Sequence, residues 1–135
     1  MYLEFLTEPQ RELCVELAIN LASTDGNFSQ KERLLIEGYC HDAGMNVNFN
    51  NKEILPLQMI IEHLLIITGM VERKIIVFEM ARLAIVDNVF HENEKDMLND
   101  LAVQFELDDA YVQECIDAIE AYAAIEEKIN HLVLN

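Results

Sequence analysis

One sequence pattern occurs twice in the chain and constrains the fold more than any other feature. Residues 21–32 align without a gap with residues 83–94, and Leu, Ala, Asp, Phe and Glu coincide. Matching apolar positions continue beyond both copies. Because self-similarity at a fixed separation indicates a repeated supersecondary unit, we expect two similar halves. Each half should be a helix, a short acidic turn and a second helix.

The scarcity of helix-breaking residues points to the same fold class. Only 2 prolines and 4 glycines occur in 135 residues, and 52% of the residues are hydrophobic. Few breakers favour long helices over short strands, and a chain of this length fits one domain. We therefore predict an all-α protein, a compact helical bundle of about six to eight helices built from two similar helix-turn-helix halves. The single domain should span residues 1–135.

Capping signals predict where the first two helices begin and end. Thr7 and Gln10 have the spacing of a capping box, in which each side chain bonds the other residue's backbone amide. Ser29 and Glu32 have the same spacing and predict the start of the second helix. Gly44 is expected to end that helix with a left-handed residue.

Apolar periodicity predicts four further helices. We expect them at about residues 53–68, 70–86 and 92–105, and from a cap at Asp108 to the end of the chain. Pro56 should lie in the first turn of the third helix of the chain or mark its true start. The third is apolar on nearly every side, so it should be central or covered by a partner. His63 within it is expected to be a core or interface histidine.

The charge balance restricts the partners that the chain can bind. The 25 acidic and 9 basic residues give a formal net charge of -16, which repels nucleic acid and favours cations or basic proteins. The most apolar stretch, residues 55–71, is short for a membrane span and contains charge, so no direct membrane insertion is expected. Without a recognisable signal peptide, and with three widely spaced cysteines expected to be reduced, the chain is predicted to be cytoplasmic.

The repeated acids admit two interpretations. Asp25, Glu32, Asp87 and Glu94 are candidate oxygen ligands for a hard cation such as Ca²⁺ or Mg²⁺, because each pair brackets one turn. Neither segment follows the EF-hand pattern, since the required glycine and glutamate are missing. The same acids also suit helix caps and turns, which are far commoner than metal sites.

The sequence carries no recognisable catalytic motif. Adjacent helical residues point in different directions, so Cys40, His41 and Asp42 are not expected to converge. Phosphate-binding glycine loops, nucleophile elbows and zinc-binding spacings do not occur. We therefore expect a protein that is not an enzyme.

The acidic segments resemble those of a known family. Residues 24–32, their partner segment 87–94 and the all-helical pattern look like the tellurite-resistance TerB family. This resemblance implies a bundle with two similar halves, an acidic surface that binds divalent metal, and a role in bacterial stress-response complexes. Asn88 stands where the family has glycine. The resulting hypothesis is a non-enzymatic TerB-like module that binds a divalent cation and a protein partner.

A second hypothesis uses the apolar helices instead of the acidic turns. The third and last predicted helices each carry enough apolar surface to form an interface. The alternative is therefore a metal-free helical adaptor or a homodimeric interaction protein.

Overall fold

The computed structural model describes residues 2–22, 30–42, 44–45, 55–86 and 92–135, and most of these residues are helical with no strand among them. The elements are a short 3-10 helix Leu3–Phe5, α1 Glu8–Ala22, α2 Gln30–Asp42, α3 Leu57–Ile67, α4 Met70–Val86, α5 Glu92–Gln104 and α6 Tyr111–Leu134. The predicted all-α bundle is confirmed over these ranges. Within them, no helix has the length and apolar character needed to cross a membrane.

Helices α1 and α4 form the centre of the bundle. Helix α1 packs against α2, α3 and α4, while α4 packs against α1, α5, α6 and the 3-10 helix. These two helices supply much of the buried core, including Cys14, Leu17, Ile76, Val77 and Met80. Helix α1 is therefore the central helix of the first predicted half, and α4 is the central helix of the second.

The starts of α1 and α4 repeat the same local structure 62 positions apart. At α1, the Thr7 amide donates to Gln10 Oε1 (2.9 Å) and the Gln10 amide donates to Thr7 Oγ1 (3.3 Å), so the predicted capping box is confirmed. At α4, the Gly69 amide donates to Glu72 Oε1 (3.2 Å). Glycine has no side chain to accept a bond from the Glu72 amide, so the start of α4 has only one of the two bonds of a capping box.

The ends of α2 and α5 also match at this separation. Gly44 and Glu106 both have left-handed backbones, with φ of 73° and 62°. The amide that follows each of them donates to the carbonyl five residues earlier: Met45 to Cys40 (2.8 Å) and Leu107 to Ala102 (2.9 Å). This is the Schellman ending expected at Gly44, and it occurs again at the equivalent position of the second half. The repeat therefore extends from helix start to helix end.

These two endings generate a paired stability prediction. A left-handed residue with a Cβ costs roughly 1–2 kcal/mol, so Glu106→Gly should raise the free energy of unfolding by about 1 kcal/mol. Gly44→Ala should lower it by about the same amount, because no atom lies within 4 Å of the added Cβ and only the backbone penalty remains. Urea denaturation of both variants measures these changes. Equal effects of the same sign would show that backbone strain is not the cause.

One predicted helix start is confirmed in one of its two forms, and another is wrong. Helix α3 begins at Leu57 with Pro56 as its N-cap (φ −60°, ψ 133°), so Pro56 marks the true start of the helix, because a proline disfavours helix in the residue before it. Helix α6 begins at Tyr111, and its N-cap is Ala110 without a side-chain bond rather than Asp108. The Asp108 carbonyl instead accepts the Tyr111 amide (3.0 Å) in the turn that precedes the helix.

Helix α3 is not central, so of the two expected alternatives only its coverage by a partner stays a prediction. Its main contact is with α1, so only one side of it, including Ile60, Ile61 and Leu64, is buried. Ile66 is 82% exposed and His63 is exposed as well, so this histidine is not a core residue. High apolar content alone does not distinguish a central helix from one that covers a single neighbour.

Candidate functional site

The acidic turns that carry the predicted metal site fall largely outside the described residues. Asp25 and Asp87 both lie there, and the side chain of Glu32 does too. Glu32 and Glu94 are the third residues of α2 and α5, where a capping-box acid belongs. In the part of the chain that the structure describes, no group of three or more His, Cys, Asp or Glu side chains is placed to hold a metal. The cation site stays a prediction.

A buried carboxylate that the sequence analysis did not identify joins three elements. Glu79 of α4 is fully buried. Its Oε1 accepts the Tyr2 amide (2.8 Å), and its Oε2 accepts the Tyr39 hydroxyl and the Arg82 Nε (3.1 Å). The Arg82 guanidinium also lies 5.6 Å from the centre of the Tyr39 ring. Glu79 therefore holds the N-terminal segment and α2 against α4.

The electrostatics of this cluster favour a fixed charge. Burial raises the pKa of the Glu79 carboxyl, but the bonds from Tyr39 and the Tyr2 amide and the charge of Arg82 outweigh it, so the pKa lies below its usual value. Burial and the Glu79 charge both raise the pKa of the Tyr39 phenol. A buried carboxylate that accepts hydrogen bonds from three residues serves to hold structural elements together.

The alignment of the two halves of the sequence indicates that Glu79 is a core residue. At the 62-residue separation, Glu79 aligns with Leu17, which is buried in α1. A carboxylate at a core position of a repeat must be paired, because an unpaired buried charge is very costly.

The three cysteines, Cys14, Cys40 and Cys115, are buried core residues. Burial raises the pKa of the Cys14 thiol, with a smaller effect from the charge of Glu79, and burial also raises the pKa of Cys115. The reactive thiolate form is therefore disfavoured at both positions.

The pKa of Glu79 generates a second prediction. Glu79→Gln should lower the free energy of unfolding by about 2 kcal/mol at pH 7, since it loses charge-assisted bonds. The folded-state pKa lies below the ordinary value of 4.5, so the stabilisation is complete above pH 4.5 and disappears as the pH falls through the folded-state pKa. Urea titrations between pH 3 and 7, with exposed Glu114→Gln as control, measure the difference. A difference from wild type that stayed constant down to pH 3 would contradict it.

The last helix extends beyond the bundle. Tyr111 donates its hydroxyl to the Lys74 carbonyl (2.8 Å), and α6 then runs alongside α4. Every residue of 120–134, here called the distal half of α6, is exposed. At 1.5 Å per residue the distal half is about 22 Å long. Its apolar side chains that are more than half exposed are Tyr122, Ile125, Ile129, Leu132, Val133 and Leu134.

A regular apolar seam runs along α6 from the core into the distal half. Its residues are spaced alternately by four and three positions, and they are Tyr111, Cys115, Ala118, Tyr122, Ile125, Ile129 and Leu132. Cys115 is buried, whereas Ile125 and Ile129 are 59% and 53% exposed. A repeat of 3.5 residues keeps one stripe facing a second helix along its length, which is the pattern of coiled coils. The apolar side of this helix was predicted from the sequence, but this spacing was not.

A groove adjoins the seam where α6 leaves the bundle. It has a volume of about 440 Å³ and lies between the N-terminal segment, α4 and α6. Its walls include Tyr2, Phe78, Arg82, Tyr122 and Glu126. The Tyr2 and Phe78 rings meet edge to face with centres 5.4 Å apart. Tyr122 belongs to both the seam and the groove, so the two surfaces are continuous.

Comparison with known proteins adds no family. No family model matches the chain, and searches of characterised proteins and of solved structures found no match. Membership of the TerB family therefore stays a prediction that rests on the two acidic segments.

Proposed function

We propose that the chain is a non-enzymatic binding module that docks a helix of another protein along the exposed part of the seam. The single observation that carries the proposal is the continuation of the 3.5-residue apolar spacing from the core into the distal half of α6. Contiguous apolar surface of this kind marks interaction sites in soluble proteins. An amphipathic helix is the occupant whose side chains fit such a spacing, by packing knobs into holes.

The net charge of the chain favours a basic partner. Glu126 and Lys128 flank the exposed part of the seam, whereas Glu120 and Glu127 lie on the opposite side of α6, so the charges next to the seam nearly cancel. The chain as a whole has 25 acidic and 9 basic residues. A helix with lysine or arginine beside its apolar residues would meet this acidic chain with complementary charge. A second copy of the chain would bring the same acids and another net charge of -16, so repulsion opposes self-association. The proposed occupant is therefore a basic amphipathic helix of a different protein.

A synthetic helix tests this proposal. The probe is a helical peptide of about three heptads. It has leucine at the two core positions of each heptad, a and d, and lysine at the positions beside them, e and g. It should bind the wild-type chain in fluorescence anisotropy at physiological salt. Ile125→Ser combined with Ile129→Ser should weaken binding about 100-fold, because losing two apolar contacts costs about 3 kcal/mol.

Matched controls separate apolar docking from simple charge attraction. Ile66→Ser removes an even more exposed isoleucine from α3 and should leave the affinity unchanged. A peptide with glutamate at the flanking positions should bind more weakly than the lysine peptide. Equal binding by wild type and the double variant would contradict the proposal. A dimer in sedimentation that the double variant abolishes would show that a second copy is the occupant.

A divalent-cation site at the acidic turns is a second candidate function. Its support is the repeat itself, because the two segments connect equivalent helix pairs, and the resemblance to the TerB family implies the same property. Calorimetric titration of chelator-treated protein with Ca²⁺ and then Mg²⁺ should show one or two ions per chain, lost on Asp25→Asn with Asp87→Asn. Absence of saturable heat would leave the four acids as caps and turn residues.

A further inference from the structure

We infer that the groove receives one large, uncharged apolar side chain of the docked helix, and that this side chain carries much of the binding energy. The inference rests on the proposed docking of a helix on the seam. Interfaces concentrate their energy in a few side chains that fill pockets, surrounded by contacts of little individual effect. The groove is the pocket next to the seam, because Ala118 and Tyr122 line the groove and also belong to the seam.

The walls of the groove suit an apolar or aromatic side chain. Three rings from three different elements contribute to them: Tyr2 from the N-terminal segment, Phe78 from α4 and Tyr122 from α6. Tyr2 and Tyr122 are 42% and 62% exposed, so covering them removes apolar surface from water. A volume of about 440 Å³ lies within the usual range for sites that bind organic groups.

The charges at the groove indicate what should flank that side chain. Arg82 is bound to Glu79 through Nε (3.1 Å) and Nη2 (3.0 Å), so its positive charge is already compensated. Glu126 lines the same groove and is exposed. A lysine or arginine next to the apolar side chain would therefore find a carboxylate partner, whereas an acidic residue there would be repelled.

The buried cluster fixes one wall of the groove. The backbone amide of Tyr2 is held by Glu79 Oε1, and the Tyr2 ring packs against Phe78. Preorganised walls bind more tightly because less freedom is lost on docking. Glu79 is therefore a positioning residue for the groove as well as a joint of the bundle.

The chain has no tryptophan, so the tryptophan emission of a complex comes from the probe peptide alone. The probes are lysine-flanked peptides in which one core leucine, at an a or d position of the peptide, is replaced by tryptophan or by alanine. Each core position is tested in turn. At one position the tryptophan peptide should bind at least tenfold more tightly than its alanine counterpart, with a blue-shifted emission. Tryptophan on the outward side of the peptide should show neither effect.

Tyr2→Ala changes the groove and leaves every residue of the seam in place. It should reduce the preference for tryptophan over alanine to about threefold or less and shrink the blue shift, while the alanine peptide binds as before. If every position gave equal affinities for tryptophan and alanine, with binding still dependent on Ile125 and Ile129, the groove inference would be overturned and the docking proposal would stand. Failure of every peptide to bind would overturn both.

Discussion

The packing of α1 against α4 is the contact on which the other helices depend. Each half of the chain attaches to it, since α2 and α3 pack on α1 while α5 and α6 pack on α4. Leu17, Val77 and Met80 are among the fully buried side chains of this central pair. Because α6 packs on α4, the position of α6 follows from the central pair, and so does the point where α6 leaves the bundle.

Polar side chains fix how the outer elements meet this centre. Gln10 Nε2 donates to the Ile67 carbonyl (2.7 Å) and so holds the end of α3 at the start of α1. Arg73 donates to the carbonyls of Leu65 (3.0 Å) and Phe105 (3.4 Å). Leu65 lies in the last turn of α3, and Phe105 directly follows α5. Terminal carbonyls of helices lack partners within the helix, so these bonds satisfy groups that burial would otherwise penalise. Glu79 accepts the Tyr2 amide (2.8 Å) and so holds the N-terminal segment on α4.

Local signals in the sequence predicted local structure well. The capping box at Thr7 and the left-handed Gly44 were predictable because each depends on residues within one turn. The position of α3 was not, because apolar content does not say which neighbours will cover a helix. Glu79 was missed for a related reason: its partners Tyr2 and Tyr39 are 77 and 40 residues away in the chain, and only the fold brings them together.

The candidate site shows the same division between local and long-range information. The spacing of the seam is present in the sequence, but its exposure is not, since Cys115 is buried and Ile129 on the same stripe is exposed. The groove needs three elements to assemble. The acidic turns remain predictable only as a pattern, because their ligand geometry depends on residues outside the described ranges.

Hydrogen exchange of the α6 amides tests the central claim, that the distal half of this helix is a docking surface for another protein's helix. In the free chain, amides of residues 120–134 should exchange faster than those of 112–119 at every protein concentration, because a helix that nothing covers opens locally. Adding the lysine-flanked peptide should slow exchange in 120–134 and leave α3 unchanged. Unchanged exchange in 120–134 would contradict the claim, as would protection that rises with protein concentration in the absence of peptide.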